Sequence, residues 1–518
     1  MLVIPSYLTI GTARDVKDPK DRRLFRALEM LPGVLSWGTL VLAVLGSWLV
    51  PAATAMFIMA FVLYWFLRTV YFSFHLWLGY RKMRQSEKRD WFSELQNIPG
   101  WRELYHLVVI PTYKEPVDVV RECVRSLAES EYPNDRIIVV LGVEGREGEE
   151  GEKKGRMIAE EFGDSFFRFQ LTVHPDGIAG EIAGKGANEA WATKAVQRDI
   201  IDPLSLPYDK VVVSSLDADS VVYEKYFACL SWYYLSSENP TRISFQPVPL
   251  FFNNIWSVPP LSRIFSFSAT FWHTMNQERP EKLITFSSHA MSFQALAEVG
   301  HRQVNVVSDD SRIFWQCFLQ YDGEYRVQPI WYPISMDANA APSFLQTLKN
   351  MYLQQRRWAY GAGEIPYFLF GFIKNNKIPF SKKFWLSAEL LEGHWSWATS
   401  SIIIFALGWL PLVLGGHAFS ESLLSYNLPR FTSRVLTFSM VGLISYVVLS
   451  INLLPPRHPG YGKFGLLLFI LQWITFPFLM IFFTALPALD AQTRLMLGKY
   501  MGFWVTPKFR TTLSEDSL

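Results

Sequence analysis

Apolar residues gather at the two ends of the chain, and the middle is mixed. Runs at 34–50 and 54–77 are separated only by Pro51-Ala52-Ala53. At 1.5 Å rise per residue, ~20 residues cross the hydrocarbon core, so the second run is ample and the first is short. The tight link predicts a helical hairpin. Arg14, Lys17, Lys20, Arg22, Arg23 and Arg26 precede it; Arg81, Lys82, Arg84, Lys88 and Arg89 follow it; the turn is uncharged. The positive-inside rule puts both ends in the cytoplasm, and a buried core hairpin is the alternative. Apolar runs return at 394–414, 435–454 and 464–486. Arg457 and Lys463 mark a cytoplasmic loop, and Arg494, Lys499, Lys508 and Arg510 make the tail basic. Three crossings here would leave that tail outside. Pro477 and Pro487 interrupt the last run, which predicts four spanning helices and one kinked, re-entrant or interfacial element, with five spans as the alternative.

Between residues 80 and 349 no apolar run reaches membrane length. Short β-branched runs at 107–110, 137–141 and 211–213 alternate with helical stretches, the pattern of an α/β sheet. The organisation expected is a cytoplasmic segment at 1–33, a transmembrane hairpin at 34–78, a cytoplasmic α/β domain at 79–345, interface helices at 346–393, a transmembrane or re-entrant block at 394–489, and an interface helix, loop and tail at 490–518.

Composition agrees with two chemistries in one chain. Half of the 518 residues are hydrophobic, 19% are charged and 16% are aromatic, and the mean hydropathy is +0.12. That combination excludes disorder and collagen-like structure. A net charge of +2 gives no global basic field, so no nucleic-acid partner is expected. Cys123, Cys229 and Cys317 are far apart and form no C-x-x-C, which argues against zinc and disulfides. No cleaved signal peptide is expected, because the first thirty residues are polar. Residues 144–156 are acidic and glycine-rich without a G-x-x-x-x-G-K-[ST] pattern, and are expected to form a mobile solvated loop.

Four stretches in the middle bear candidate chemistry. The run Ile110-Pro111-Thr112-Tyr113-Lys114-Glu115-Pro116 ends a strand before a helix at 117–130, and ligands bind at the carboxyl ends of such strands. Asp217-Ala218-Asp219 follows the strand at 211–213. Two carboxylates one residue apart share a strand face, and their hard oxygens suit Mg²⁺ or Mn²⁺ bridging to phosphates; a solvated turn is the alternative. Ser308-Asp309-Asp310 puts adjacent carboxylates after an apolar pair, suited to a general base or a helix N-cap. Gln354-Gln355-Arg356-Arg357-Trp358 falls on a helix at 344–360, where arginine can clamp a diphosphate and Trp can face a sugar ring. An interface helix with snorkelling arginines is the competing account.

Taken together and in this order, these stretches resemble the membrane-integrated family-2 glycosyltransferases, the group of cellulose, hyaluronan and chitin synthases. The family's D-x-D, its Thr-Glu-Asp or Gly-Asp-Asp base motif and its Q-x-x-R-W look like Asp217-Ala218-Asp219, Ser308-Asp309-Asp310 and Gln354-x-x-Arg357-Trp358. Phe503-Trp504-Val505-Thr506-Pro507-Lys508 is similar to the F-x-V-T-x-K gating loop of cellulose synthases. Gln246-Pro247-Val248-Pro249-Leu250-Phe251-Phe252-Asn253 resembles the Q-T-P-x-x-F-x-N element, and Lys185-Gly186-Ala187-Asn188 the K-A-G-x-L-N loop. The resemblance spans roughly residues 105 to 510.

The resemblance implies a GT-A-like α/β domain inserted between transmembrane helices of a multi-pass inner-membrane protein, with the catalytic domain in the cytoplasm. It implies that Asp219 holds the metal and Asp217 touches metal or nucleotide. Asp310 is then the general base, Gln354 and Arg357 bind the diphosphate, Trp358 stacks under the acceptor, and Lys185 touches the nucleotide-sugar. Thr506 and Lys508 close over the nucleotide. The implied reaction is metal-dependent transfer, with inversion, from a nucleotide-sugar, a UDP-hexose first, to a growing β-linked polysaccharide. Val143-Glu144-Gly145 stands where the family has Asp-Asp-Gly, so Glu144 would meet the base and GDP-mannose stays open as donor. Thr285-Phe286-Ser287-Ser288-His289 stands where F-F-C-G-S is usual, making Ser288 and His289 acceptor candidates of altered type. No cyclic-diguanylate-binding domain is expected within the chain. Single addition to a lipid-linked acceptor is the alternative activity. A transporter is disfavoured by the large charged middle and few intramembrane charges.

Overall fold

The computed structural model describes residues 4–456 and 463–510. The hairpin is two long helices, α1 (Pro19–Leu49) and α2 (Pro51–Lys88). Pro51 stands in the first turn of α2, where a missing N–H has no partner to lose, so it starts the helix rather than breaking one.

An eight-stranded mixed sheet follows: β1 (Tyr105–Thr112), β2 (Ile137–Glu144), β3 (Arg168–His174), β4 (Val211–Ser215), β5 (Val221–Val222), β6 (Ile243–Leu250), β7 (Ala290–Ser292) and β8 (Arg326–Ser335). Their spatial order is β3-β2-β1-β4-β7-β6-β8-β5. β3, β2, β1 and β4 run parallel, and β7 is antiparallel to both β4 and β6. The apolar runs at 107–110, 137–141 and 211–213 are the centres of β1, β2 and β4. They read as continuous rather than alternating because both sheet faces are covered. Val108, Ile110, Val139, Leu141 and Val212 enter one core; Leu107, Val109, Val140 and Val213 enter the other.

Residues 144–156 are not the solvated loop expected from their charge. They are the end of β2, a turn, and half of a helix, Glu149–Phe162. The glycines are the reason. A Cβ at Gly151 would stand 2.8 Å from Val143 Cγ1, and one at Gly155 2.5 Å from Leu171 Cδ1, so glycine lets this helix lie directly on the sheet. Ile158 and Phe162 are buried beneath it, and Lys154 pairs with Glu147 at 2.7 Å.

Two further helices bear site residues: α3 (Lys185–Val196) and α4 (Asp309–Gln320). The QQRRW stretch lies on α5 (Phe344–Ala359), matching the helix expected at 344–360. Then come α6 (Phe380–Phe405), α7 (Leu423–Leu453) and α8 (Leu486–Met496).

Among the described residues, four helices are long and apolar enough to cross a membrane: α1, α2, α7 and the continuous stretch Gly465–Met496 that ends in α8. A fifth element, α6 with Leu407–Leu414, is bent by 50°. The sharp bend therefore falls in the 394–414 segment and not at Pro477. Pro477 and Pro487 sit in the first turns of short helical pieces. A 3₁₀ turn at Gln472–Thr475 and a π turn at Ile481–Ala485 absorb their missing hydrogen bonds. Side-chain contacts fix the ends of the bundle. A Cβ on Gly415 would meet Pro51 Cβ at 2.9 Å, so the bent element reaches the hairpin turn. Arg84 donates to Asn452 O at 3.1 Å, returning α7 to the charged end of α2. Gln472 lies 3.4 Å from Arg263, and Arg26 donates to Leu495 O at 2.9 Å. Gln472 and Leu495 of the 465–496 stretch are thus each tied to segments that pack on the sheet domain.

Candidate active site

One cleft opens at the carboxyl ends of β1, β2 and β4, where loops can gather polar groups on a rigid sheet. Glu144, Lys185, Asp217, Asp219, Asp310, Gln354, Arg357, Trp358, Thr506 and Lys508 all line it. Ser288 and His289 do not. Ser288 turns the chain at φ +66° and is fully buried, with its Oγ 3.1 Å from Ser220 Oγ. His289 Nδ1 donates to Phe286 O at 2.8 Å, and its Nε2 accepts from Arg302 at 3.2 Å. These contacts fix a neutral ring, and burial pulls its pKa to about 3. Thr285, Phe286 and Ser287 form the cleft wall instead. The turn before β7 faces the cleft with its first three residues and the protein interior with its last two.

Lys185 opens α3 and ties the carboxylates together. Its Nζ donates to Asp217 Oδ1 at 2.7 Å and to Asp310 Oδ1 and Oδ2 at 2.9 and 3.1 Å. Burial opposes its charge, but Asp217 and Asp310 outweigh burial and raise its pKa. Burial would likewise raise Asp217 and Asp310; Lys185, with Lys508 near the first and Arg302 near the second, holds both below the usual carboxylate range. Asp309 is different: burial and the neighbouring Asp310 push it up to about 7. Glu115, accepting from Thr112 Oγ1 at 2.9 Å and from Tyr113 N at 2.5 Å, is raised to about 7 by burial.

Asp219 is fully buried at the cleft floor. Its Oδ2 accepts from Lys508 at 2.5 Å and from the Asp337 backbone N–H at 2.9 Å. Its Oδ1 has no hydrogen-bond partner among the described residues. A buried carboxylate oxygen left over in this way, beside Asp217, fits a hard divalent cation. Among the described residues no three His, Cys, Asp or Glu side chains converge as a metal cluster. Asp217 and Asp219 would then hold such an ion together with water and phosphate oxygens, as is usual for Mg²⁺.

The opposite wall comes from α5. Arg357 forms no ion pair among the described residues; its guanidinium lies 4.6 Å over the Phe503 ring. Gln354 Oε1 accepts from Asn339 at 3.1 Å. Trp358 is set among Phe251, Phe265 and Phe286, with ring centroids 6.3, 5.9 and 5.9 Å away, making an aromatic floor. The C-terminal tail closes the cleft: Phe503 packs on Gly184, and Thr506 Oγ1 is buried without a partner among the described residues. Arg510 reaches Asp337 with Nη2 at 2.6 Å and also pairs with Glu122.

Asp337, Glu189 and Arg302 were missed by sequence reasoning. Asp337 follows β8, and a carboxylate at a strand's carboxyl end was a usable signal. Glu189 lies one helical turn beyond Lys185, 3.8 Å away, an i,i+4 pair that could have been read. Arg302 sits in a polar turn with no periodic cue.

No protein-family model and no curated protein matches the chain. Solved structures similar to it include the mannosyltransferase PcManGT of Pyrobaculum calidifontis in complex with GDP-Man and Mn²⁺, at 18% identity and a TM-score of 0.41, covering 76% of this chain and 99% of that one. Another is S. aureus TarS 1-349 in complex with UDP, at 10% identity and a TM-score of 0.34, covering 67% of this chain and 90% of that one. A complex of the same protein with UDP-GlcNAc matches at 12% identity and a TM-score of 0.35, covering 67% and 90%.

Proposed function

We propose that the chain is a membrane-integrated, GT-A-like, inverting glycosyltransferase that moves a hexose from a nucleotide-sugar to a growing β-linked polysaccharide. The observation that supports this most is the meeting, in one cleft, of the carboxylates Asp217, Asp219 and Asp310 with Arg357, a cation with no ion pair among the described residues, and the aromatic floor at Trp358. The carboxylates supply a base, the cation suits a diphosphate, and the ring suits a pyranose.

Asp310 takes the proton of the acceptor hydroxyl, whose oxygen attacks the anomeric carbon from the face opposite the diphosphate. The C1–O bond to the diphosphate breaks as the new bond forms, inverting that carbon. Arg357 and Lys508 meet the charge arriving on the leaving group. Asp217 and Asp219 would hold the Mg²⁺ or Mn²⁺, whose chemistry there is to neutralise that diphosphate. Trp358 orients the acceptor ring, and the 503–508 tail keeps water away. Glu144, at the end of β2, meets the nucleobase, for which uracil is our first choice. The sheet lies on the cytoplasmic side of an inner membrane crossed by α1, α2, α7 and the α6 element.

Purified protein given a panel of UDP- and GDP-sugars with Mg²⁺ or Mn²⁺ tests this, with linkage analysis of the product. Metal-dependent transfer giving a β-linkage supports it. An absence of transfer with every donor would sink it. A high-molecular-weight product indicates a polymerase, and a single labelled glycolipid indicates one addition to a lipid acceptor.

A further inference from the structure

We infer that Arg302 is a positioning residue of this site, a cation outside the cleft that fixes the Asp309–Asp310 pair at the start of α4 and presents Asp310 to the acceptor. Asp310's role as base rests on the function proposed above; the clamp itself rests on geometry. The Arg302 side chain is 5% exposed and uses each end of its guanidinium. Nε pairs with Glu189. Nη1 donates to Asp309 O at 3.2 Å and stands 3.8 Å from Asp309 Oδ2 and 3.6 Å from Asp310 Oδ1. Nη2 donates to His289 Nε2.

Glu189 anchors the arrangement. Its Oε1 accepts from Ser215 Oγ at 2.6 Å, at the end of β4, and stands 3.8 Å from Lys185 Nζ. Asp310, Lys185, Glu189 and Arg302 therefore form a closed ring of alternating charge. Breaking one member of a buried charge network leaves its partners uncompensated.

The two cations that flank Asp310 are not equivalent. Lys185 lines the cleft, where a diphosphate would compete for it; Arg302 is absent from the cleft wall. Only Arg302 can hold Asp310 unchanged through donor binding and release. The other charges acting on Asp310 are Asp217, bridged to it through Lys185, Asp309 beside it, and Arg357 from α5. His289 adds no charge, because its Nε2 accepts from Arg302. Thr285 Oγ1 holds the Asp310 backbone carbonyl at 2.6 Å, so the main chain stays fixed when the side chain is released.

The test compares the full-length protein with R302M, which keeps bulk without charge, and R302K, which keeps charge without the fork. Steady-state transfer is measured across pH. In parallel, carbodiimide labelling of Asp310, which reads its protonated form without turnover, is followed by mass spectrometry. R302M should lower kcat by ~10-fold or more with KM within ~2-fold, and move both the acid limb and the labelling curve up by about one pH unit. R302K should restore most of each. E189Q, which removes the carboxylate that shares Lys185 and Arg302 with Asp310, should move both readouts in the opposite direction, to lower pH, and serves if R302M does not fold. Unchanged labelling and pH profiles in the folded variants would overturn the clamp. Wild-type protein that transfers no sugar, yet shows the labelling shift, would sink the proposed function and leave the clamp standing.

Discussion

Lys508 Nζ donates to Asp219 Oδ2 at 2.5 Å, joining positions 289 residues apart. The C-terminal tail therefore neutralises, with its own cation, the carboxylate best suited to a metal. Lys508→Gln should remove that competitor. We expect Mn²⁺ to bind the nucleotide-free protein ~10-fold more tightly, an effect of order 1.4 kcal/mol, while sugar transfer falls. Titration calorimetry and turnover measure the two sides; unchanged Mn²⁺ affinity would show that Lys508 and the metal do not share Asp219.

Arg357 is the cleft cation with no ion pair among the described residues, and Phe503 covers it at 4.6 Å. Arg357→Ala should lower kcat/KM between ~10- and ~100-fold, the range for hydrogen bonds to a charged group, with the loss also visible in nucleoside-diphosphate binding. Folding should be little affected. Full nucleotide affinity in this variant would move the diphosphate elsewhere.

Glu115 gives a pH signature independent of turnover. Burial raises it to about 7 from an ordinary value near 4.5. The folded state thus binds a proton that the unfolded state has released. The cost of ionising Glu115 is absent below the unfolded pKa and grows as pH rises to the folded one. Melting temperature should fall between pH 5 and 8 in the wild type, and fall less in Glu115→Gln. Parallel curves for the two would mean Glu115 is ionised throughout.

Much of the candidate site was legible in sequence because its chemistry is local. D-x-D, the paired aspartates before a helix, and the Q-x-x-R-W helix each place their groups by strand or helix geometry alone. What escaped depends on tertiary approach. Arg302 acquires meaning only when the turn before β7 brings His289 against it. Ser288 and His289 read as acceptor contacts because sequence cannot show on which side of a turn each residue falls. The 149–162 helix was hidden because its glycines fit a sheet that sequence cannot position. The sheet was readable in outline from its β-branched runs, although the antiparallel insertion of β7 between β4 and β6 has no sequence signal.

The helical bundle makes a topological prediction. Arg26, near the start of α1, bonds the last carbonyls of α8, and Thr506 and Lys508 line the cleft. Both termini should lie on the catalytic side of the membrane. A C-terminal tag should resist external protease in sealed right-side-out vesicles and be cleaved in inverted ones. Digestion from outside would contradict the arrangement in which α1, α2, α7 and the α6 element are the four crossings.

The central claim is that Asp310 is the base of a sugar-transfer reaction, and Asp310→Asn tests it most directly. The change keeps shape and removes the proton acceptor that Lys185 holds at 2.9 Å. Transfer from the active donor should fall by ~10²–10⁴-fold, the usual contribution of a general base, with nucleotide binding within a few-fold of wild type. Wild-type transfer rates in Asp310→Asn would contradict the account.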